Sequence, residues 1–256
     1  MSFFQDVINI VAKYYPQLLS GVGNTMLIAL TGTVAGLAIG LLTGIVRTAP
    51  FSRNGFVRAL HKILNAVIAV YVEIFRGTPM MVQAMVIYYG AMQYLGLDMP
   101  QMLAAVLIVS VNTGAYMAEI IRGGIISVDK GQVEAAKSIG MTHWQTMSAI
   151  VLPQAVRNIM PSIGNEFVVN IKDSSVLNVI SVSELFFMSK SAAGTYYKYF
   201  EVFFITALIY LVLTFSITRL LRLLERKMDG DSSYTICGSQ SDSRSVIHVP
   251  VEKEEA

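Results

Sequence analysis

Val22 to Val46 is a run of residues suited to a bilayer core. A membrane-spanning helix needs about 20 consecutive apolar residues, and this run supplies them. Further apolar blocks follow, at about residues 63–95, 101–121, 155–187 and 199–218. Only 14% of the 256 residues are charged and 54% are hydrophobic, whereas a soluble domain carries about 25% charged residues. The chain is therefore expected to be an all-α membrane protein of about five transmembrane helices.

The first run carries Gly32, Gly36, Gly40 and Gly44 at intervals of four. Such spacing puts the glycines near one face and lets another helix approach closely. The seam could lie within the subunit or against a partner subunit. Ahead of it, Phe4, Val7, Ile8, Val11, Tyr14, Tyr15 and Leu18 recur at helical spacing. They predict an amphipathic helix over residues 1–20, lying on the membrane surface. Pro16 argues against a helix continuous with the first span.

The block at 63–95 is too long for one straight span. Arg76, Gly77, Thr78 and Pro79 interrupt it, because proline removes a backbone donor and restricts the residue before it. Either a kinked long helix or a lead-in helix followed by a span fits. Glu73 and Arg76 stand at i, i+3, as do Glu119 and Arg122 at the end of the third span. Both read as structural ion pairs.

The block at 155–187 holds Asn170 to Ile180, NIKDSSVLNVI, in its middle. Ionisable groups at membrane depth are costly and usually face a cavity or a partner. Lys172 and Asp173 are adjacent, so they point to different sides of a helix and pair poorly with each other. Lys172, Asp173, Ser174, Ser175 and Asn178 are the candidates for the wall of a transport path. The competing reading is that Lys172 or Asp173 pairs with another span.

Between the third and fourth apolar blocks lies a polar island, Glu134 to Pro153, EAAKSIGMTHWQTMSAIVLP. Gly140 is the expected helix stop, since a left-handed residue costs glycine nothing. Thr142 and Gln145 form the pattern of a capping box for a second short helix. Ala135 and Ala136 would give this knuckle a low surface. Glu134, Ala135, Ala136, Gly140, Ile150, Leu152 and Pro153 together resemble the EAA loop of the membrane subunits of binding-protein-dependent ABC importers. EIFRGTP (Glu73 to Pro79) and NTGAYMAEIIRGGI (Asn112 to Ile125) resemble segments of the polar amino-acid uptake branch of that family.

The resemblance implies a type I ABC importer transmembrane fold over residues 21–227, with the coupling loop at about 129–153. It implies two ABC ATP-binding subunits, a second permease subunit that is identical or related, and an extracellular or periplasmic solute-binding protein. The cargo would be a polar amino acid, moved by ATP-driven alternating access. ATP and Mg would bind the partner subunit. The chain itself has no G-x-x-x-x-G-K-[ST] loop and no recognisable nucleophile–base pair or metal cluster, so no cofactor is expected on it and no enzymatic activity.

With the N-terminus outside, cytoplasmic segments hold Arg47, Arg53, Arg58, Lys62, Arg122, Lys130, Lys137, Arg157, Arg219, Arg222, Arg226 and Lys227. Outside segments hold Lys13, Lys190 and Lys198. This obeys the positive-inside rule and puts the knuckle and the C-terminus in the cytoplasm of a bacterial cell. The basic residues are membrane flanks beside lipid, so nucleic acid is not an expected partner. Residues 228–256 read as a disordered tail. An ion-gradient-driven secondary transporter or channel is the alternative, with Lys172 and Asp173 as coupling sites, but the inverted repeats that would favour it are not evident.

Overall fold

In a computed structural model, residues 3–49, 54–229, 235–237 and 246–248 are described. Arg53 and most of the expected tail lie outside them. The helices are α1 (Phe3–Thr48), α2 (Gly55–Gly77), α3 (Met80–Leu95), α4 (Gln101–Ile126), α5 (Lys130–Ser138), α6 (His143–Thr146), α7 (Leu152–Asp173), α8 (Leu185–Tyr196) and α9 (Tyr199–Asp229). A π-helical turn, Met147–Val151, joins α6 to α7, and a 3-10 segment, Ser174–Ile180, follows α7. Thr235–Cys237 and Val246–His248 form a small antiparallel pair. Among the described residues, four helices (α1, α2, α4 and α9) are long and apolar enough to cross a membrane. The stretch His143–Ile180 with α8, bent by 55°, makes a fifth if counted as one span.

The glycine seam lies within the subunit. A Cβ placed at Gly32, Gly36, Gly40 or Gly44 would meet Val109, Thr113, Met117 or Ile121 of α4, respectively. Each pair has the same offset in the sequence, so α1 and α4 run parallel and stay in register along the seam. At Gly36 the nearest atoms of Thr113 would be 2.7 Å from that Cβ, and at Gly40 the carbonyl carbon of Met117 would be 2.9 Å away. Backbone cannot yield as a side chain can. Gly40→Leu is therefore expected to destabilise the protein by about 1–3 kcal/mol, read as a lower melting temperature in detergent. Gly23→Leu, with open space around it, is the control and should melt near wild type.

Two expectations are corrected, and one that was left open is settled. First, α1 runs unbroken from Phe3 through Pro16, so the expected surface helix over residues 1–20 is not, in its described part, separate from the first span. Their inner face is covered by α8 and α9: Ile10 and Leu18 pack with Leu185, Ala192, Ala193, Val202 and Ile205. Asp6 pairs with Lys198, and the Tyr14 hydroxyl donates to Thr195 Oγ1 at 3.1 Å. Proline inside a helix costs about 3 kcal/mol, and burying Ile10 and Leu18 returns about 1.5–3 kcal/mol each where water is the alternative. Second, of the two forms left open for the block at 63–95, the broken one holds: it is two helices. α2 ends at Gly77 and α3 begins at Met80, after Pro79.

Third, the apolar block at 155–187 is not one helix. It breaks over residues 174–184, and the break is stitched to its neighbours. The Asn24 amide donates to the Ser183 carbonyl at 2.7 Å, and Leu185 N–H donates to Thr25 Oγ1 at 3.2 Å. Glu184, fully buried, caps α8 by accepting from Phe186 N–H at 2.8 Å and Phe187 N–H at 2.6 Å. The Tyr210 hydroxyl donates to the same carboxylate at 3.1 Å. Irregular backbone inside a membrane protein persists only where such partners replace water.

Candidate functional site: a cleft at two broken helices, and an exposed knuckle

Where α2 gives way to α3, the backbone loses helical partners. Gln83 supplies them: its side-chain amide donates to the carbonyls of Phe75 and Thr78, both at 2.9 Å. Its own oxygen accepts from Asn112 Nδ2 at 2.8 Å. A second buried link joins three helices. Thr113 Oγ1 donates to Asn170 Oδ1 at 3.1 Å, and Asn170 Nδ2 donates to Thr33 Oγ1 at 2.8 Å. Fully paired polar groups of this kind hold α1, α4 and α7 in one arrangement.

Between these two links is a cleft of about 370 Å3, lined by Thr78, Pro79 and Met80 from the α2–α3 break, Asn112 and Tyr116 from α4, and Glu166, Val169, Asn170 and Asp173 from α7. Two features of opposite polarity line it. Pro79 offers no side-chain cap to α3, and its carbonyl takes the Val82 and Gln83 N–H groups, which leaves the Met80 and Met81 N–H groups at the positive end of the helix dipole. The other feature is the carboxylates of Glu166 and Asp173, about two helical turns apart on α7.

Of the transport-path candidates, Asp173 lines this cleft. Lys172 is exposed outside its lining. Ser174 is fully buried and donates to the Ile171 carbonyl at 2.9 Å. Ser175 is half-buried, and its carbonyl takes the Asn178 amide at 2.7 Å. The reading of the sequence missed Glu166, Asn112, Tyr116 and Asn170. Glu166 carried a signal, since it is ionisable within an apolar stretch, as Lys172 and Asp173 are. The other three are ordinary residues for a membrane helix and become visible only as neighbours.

The two ion-pair expectations part company. Glu119 takes Arg122 through Nε at 3.0 Å and Nη2 at 2.7 Å, and Arg47 at the end of α1 joins the same carboxylate. Glu73 and Arg76 form no ion pair among the described residues. Arg76 instead sits over the Tyr116 ring, 5.5 Å from its centroid. The aromatic face across the interhelix gap takes the guanidinium away from the neighbouring turn.

The knuckle has the predicted joints. Gly140 has φ +82°, and Thr142 and Gln145 make the reciprocal capping box, with Thr142 N–H donating to Gln145 Oε1 at 2.8 Å. Glu134, Ala135 and Gly140 are exposed, Ile150 is half-buried, and Leu152 and Pro153 are exposed at the start of α7. Ala136 is buried, 2% exposed, so the low surface belongs to Ala135 alone. The second short helix is also not free-standing. Pro153 has no N–H for the carbonyl four residues back, and the ladder widens to a π-turn in which Leu152 N–H bonds to the Met147 carbonyl. α6 thus runs through the π-turn directly into α7, the helix that carries Glu166 and Asp173. Among the described residues, no group of three His, Cys, Asp or Glu side chains could hold a metal.

Residues 54–230 match the family of the binding-protein-dependent transport system inner membrane component. The glutamine transport system permease protein GlnP of Escherichia coli K12 is 37% identical over 214 residues, 83% of this chain and 93% of that protein. The arginine transport system permease protein ArtQ of Bacillus subtilis 168 is 35% identical over 213 residues, with the same coverage of each chain. A crystal structure of an amino acid ABC transporter with histidines superposes with a TM-score of 0.76 at 36% identity, covering 89% of this chain and 99% of that one. A methionine ABC transporter, MetNI, shares the fold at a TM-score of 0.65 and 18% identity. With its broken spans, its knuckle and these likenesses, the chain belongs to the family of inner membrane permease components of binding-protein-dependent transport systems.

Proposed function

We propose that this chain is the permease subunit of an ATP-driven importer for a polar amino acid, and that the cleft at the two helix breaks is its solute site. The carrying observation is the opposed polarity of that cleft. The open N-terminus of α3 suits an α-carboxylate, and Glu166 and Asp173 suit an ammonium or a cationic side chain. Half-helix ends serve this role in broken transporter helices generally. The related permeases named for glutamine and arginine transport support the same cargo class.

A binding-protein-dependent permease works with a solute-binding protein and an ATPase. Here the knuckle would dock on that ATPase, with two ATP-binding subunits and a second permease, identical or related, completing the assembly. ATP and Mg bind those partners. The N-terminus lies outside and the C-terminus in the cytoplasm, in keeping with the basic residues that cluster on the knuckle side. Closure of the ATPase pushes α5 and α6, the π-turn carries the push into α7, and α7 moves the carboxylates of the cleft.

The test is ATP hydrolysis by the reconstituted transporter with a candidate binding protein loaded with each polar amino acid in turn. One loaded form should stimulate hydrolysis and drive uptake. Gly140→Ala should cut that stimulation about fivefold, since an L-residue held at positive φ costs about 1–2 kcal/mol. Uptake that follows an ion gradient and ignores ATP would sink the proposal.

A further inference from the structure

A second cleft, of about 510 Å3, lies between the C-terminal parts of α2 and α4. Arg47, Glu73, Arg76, Glu119 and Arg122 supply its charges, with Ala69 and Val72 on its floor. It sits toward the end of α4 that leads into the knuckle, beyond the α4 residues that line the first cleft. Its charges are not all alike. Arg47 and Arg122 share the one Glu119 carboxylate, so that cluster keeps a single net positive charge. Arg76 and Glu73 are left one helical turn apart without an ion-pair partner among the described residues. An unneutralised cation and anion at that spacing complement a zwitterion: Arg76 takes the carboxylate and Glu73 the ammonium.

One side-chain contact joins the linings of the two clefts. Tyr116 lines the first and Arg76 the second, and the guanidinium lies over the ring. The backbone beneath is pinned by Gln83, so the movable part is the side-chain pair. A cation–π contact is weak enough to open and close with solute passage.

We propose that the charged cleft is a second subsite for a zwitterionic solute on the knuckle side of the first, and that the Arg76–Tyr116 contact is the partition between them. The proposal rests on reading the first cleft as the solute site.

The experiment uses the full transporter in vesicles, free of nucleotide, with the single cysteine removed as Cys237→Ser. Val169→Cys reports on the first cleft and Ala69→Cys on the second. A membrane-impermeant cationic thiol reagent is added on the knuckle side, with and without L-glutamine or L-arginine. Either amino acid should slow labelling at both positions. Glu73→Gln should remove protection at Ala69→Cys and leave it at Val169→Cys. Tyr116→Ala should speed labelling of Val169→Cys about fivefold, the population shift expected on losing a cation–π contact, and leave Ala69→Cys unchanged. Tyr116→Phe keeps the ring and should label at the wild-type rate.

Protection at Val169→Cys alone would sink the second subsite and leave the first standing. Protection at Ala69→Cys alone would overturn the first cleft as the solute site, and the partition with it. Protection at neither, or equal rates for Tyr116→Ala and wild type, overturns the proposal.

Discussion

Glu184→Leu is expected to destabilise the protein by roughly 4 kcal/mol, because three donors would lose their acceptor at about 1–3 kcal/mol each, part of it offset by the carboxylate no longer being buried. Replacing a buried charge by an apolar residue is often neutral, since desolvation of the charge weighs against its contacts. Here the partners cannot be replaced with it. Two are the backbone N–H groups that open α8, and the third is the Tyr210 hydroxyl. With Glu184 fully buried, water does not reach those N–H groups. Glu184→Gln keeps one acceptor oxygen and should lose about half as much. The check is thermal unfolding of the purified protein in detergent. A leucine variant as stable as wild type would show that the carboxylate contributes only a burial cost and that the break is held by Asn24 and Thr25.

The second large effect is functional. Glu166→Gln and Asp173→Asn each remove a charge facing the cleft. A hydrogen bond to a charged group contributes about 1.5–3 kcal/mol, so the amount of amino acid carried per ATP should fall about tenfold or more in each variant. Binding-protein-stimulated hydrolysis should persist, because the knuckle is untouched. Radiolabelled uptake and phosphate release measured on the same vesicles give the ratio directly. An unchanged ratio in both variants would remove these carboxylates from the solute site. Equal loss of hydrolysis and uptake would mean that α7 had been damaged as a lever instead.

Much of the knuckle was legible because its determinants are local. Gly140 at positive φ and the Thr142–Gln145 capping box involve residues within a few positions of each other. The Glu119–Arg122 pair is likewise one helical turn long. Local reasoning failed at Glu73–Arg76 for a reason of the same kind in reverse. A neighbour on the next turn competes with whatever the facing helix presents, and α4 presents the Tyr116 ring. It failed at Pro16 because the helix rule counts the lost hydrogen bond and cannot count Ile10 and Leu18 packing on α8 and α9.

By itself the sequence determined the class of protein, the number of apolar blocks and the glycine and capping box of the knuckle. These depend on composition and on contacts a few residues long. The tertiary structure alone decided that Gly32, Gly36, Gly40 and Gly44 meet α4 and that Arg47 reaches Glu119. It also decided that Thr78, Asn112 and Glu166 border one cleft. Those residues are separated by tens of positions in the chain. Only the parallel register of α1 with α4, and the breaks of α2–α3 and α7–α8 held by buried amides and Glu184, bring them to one depth.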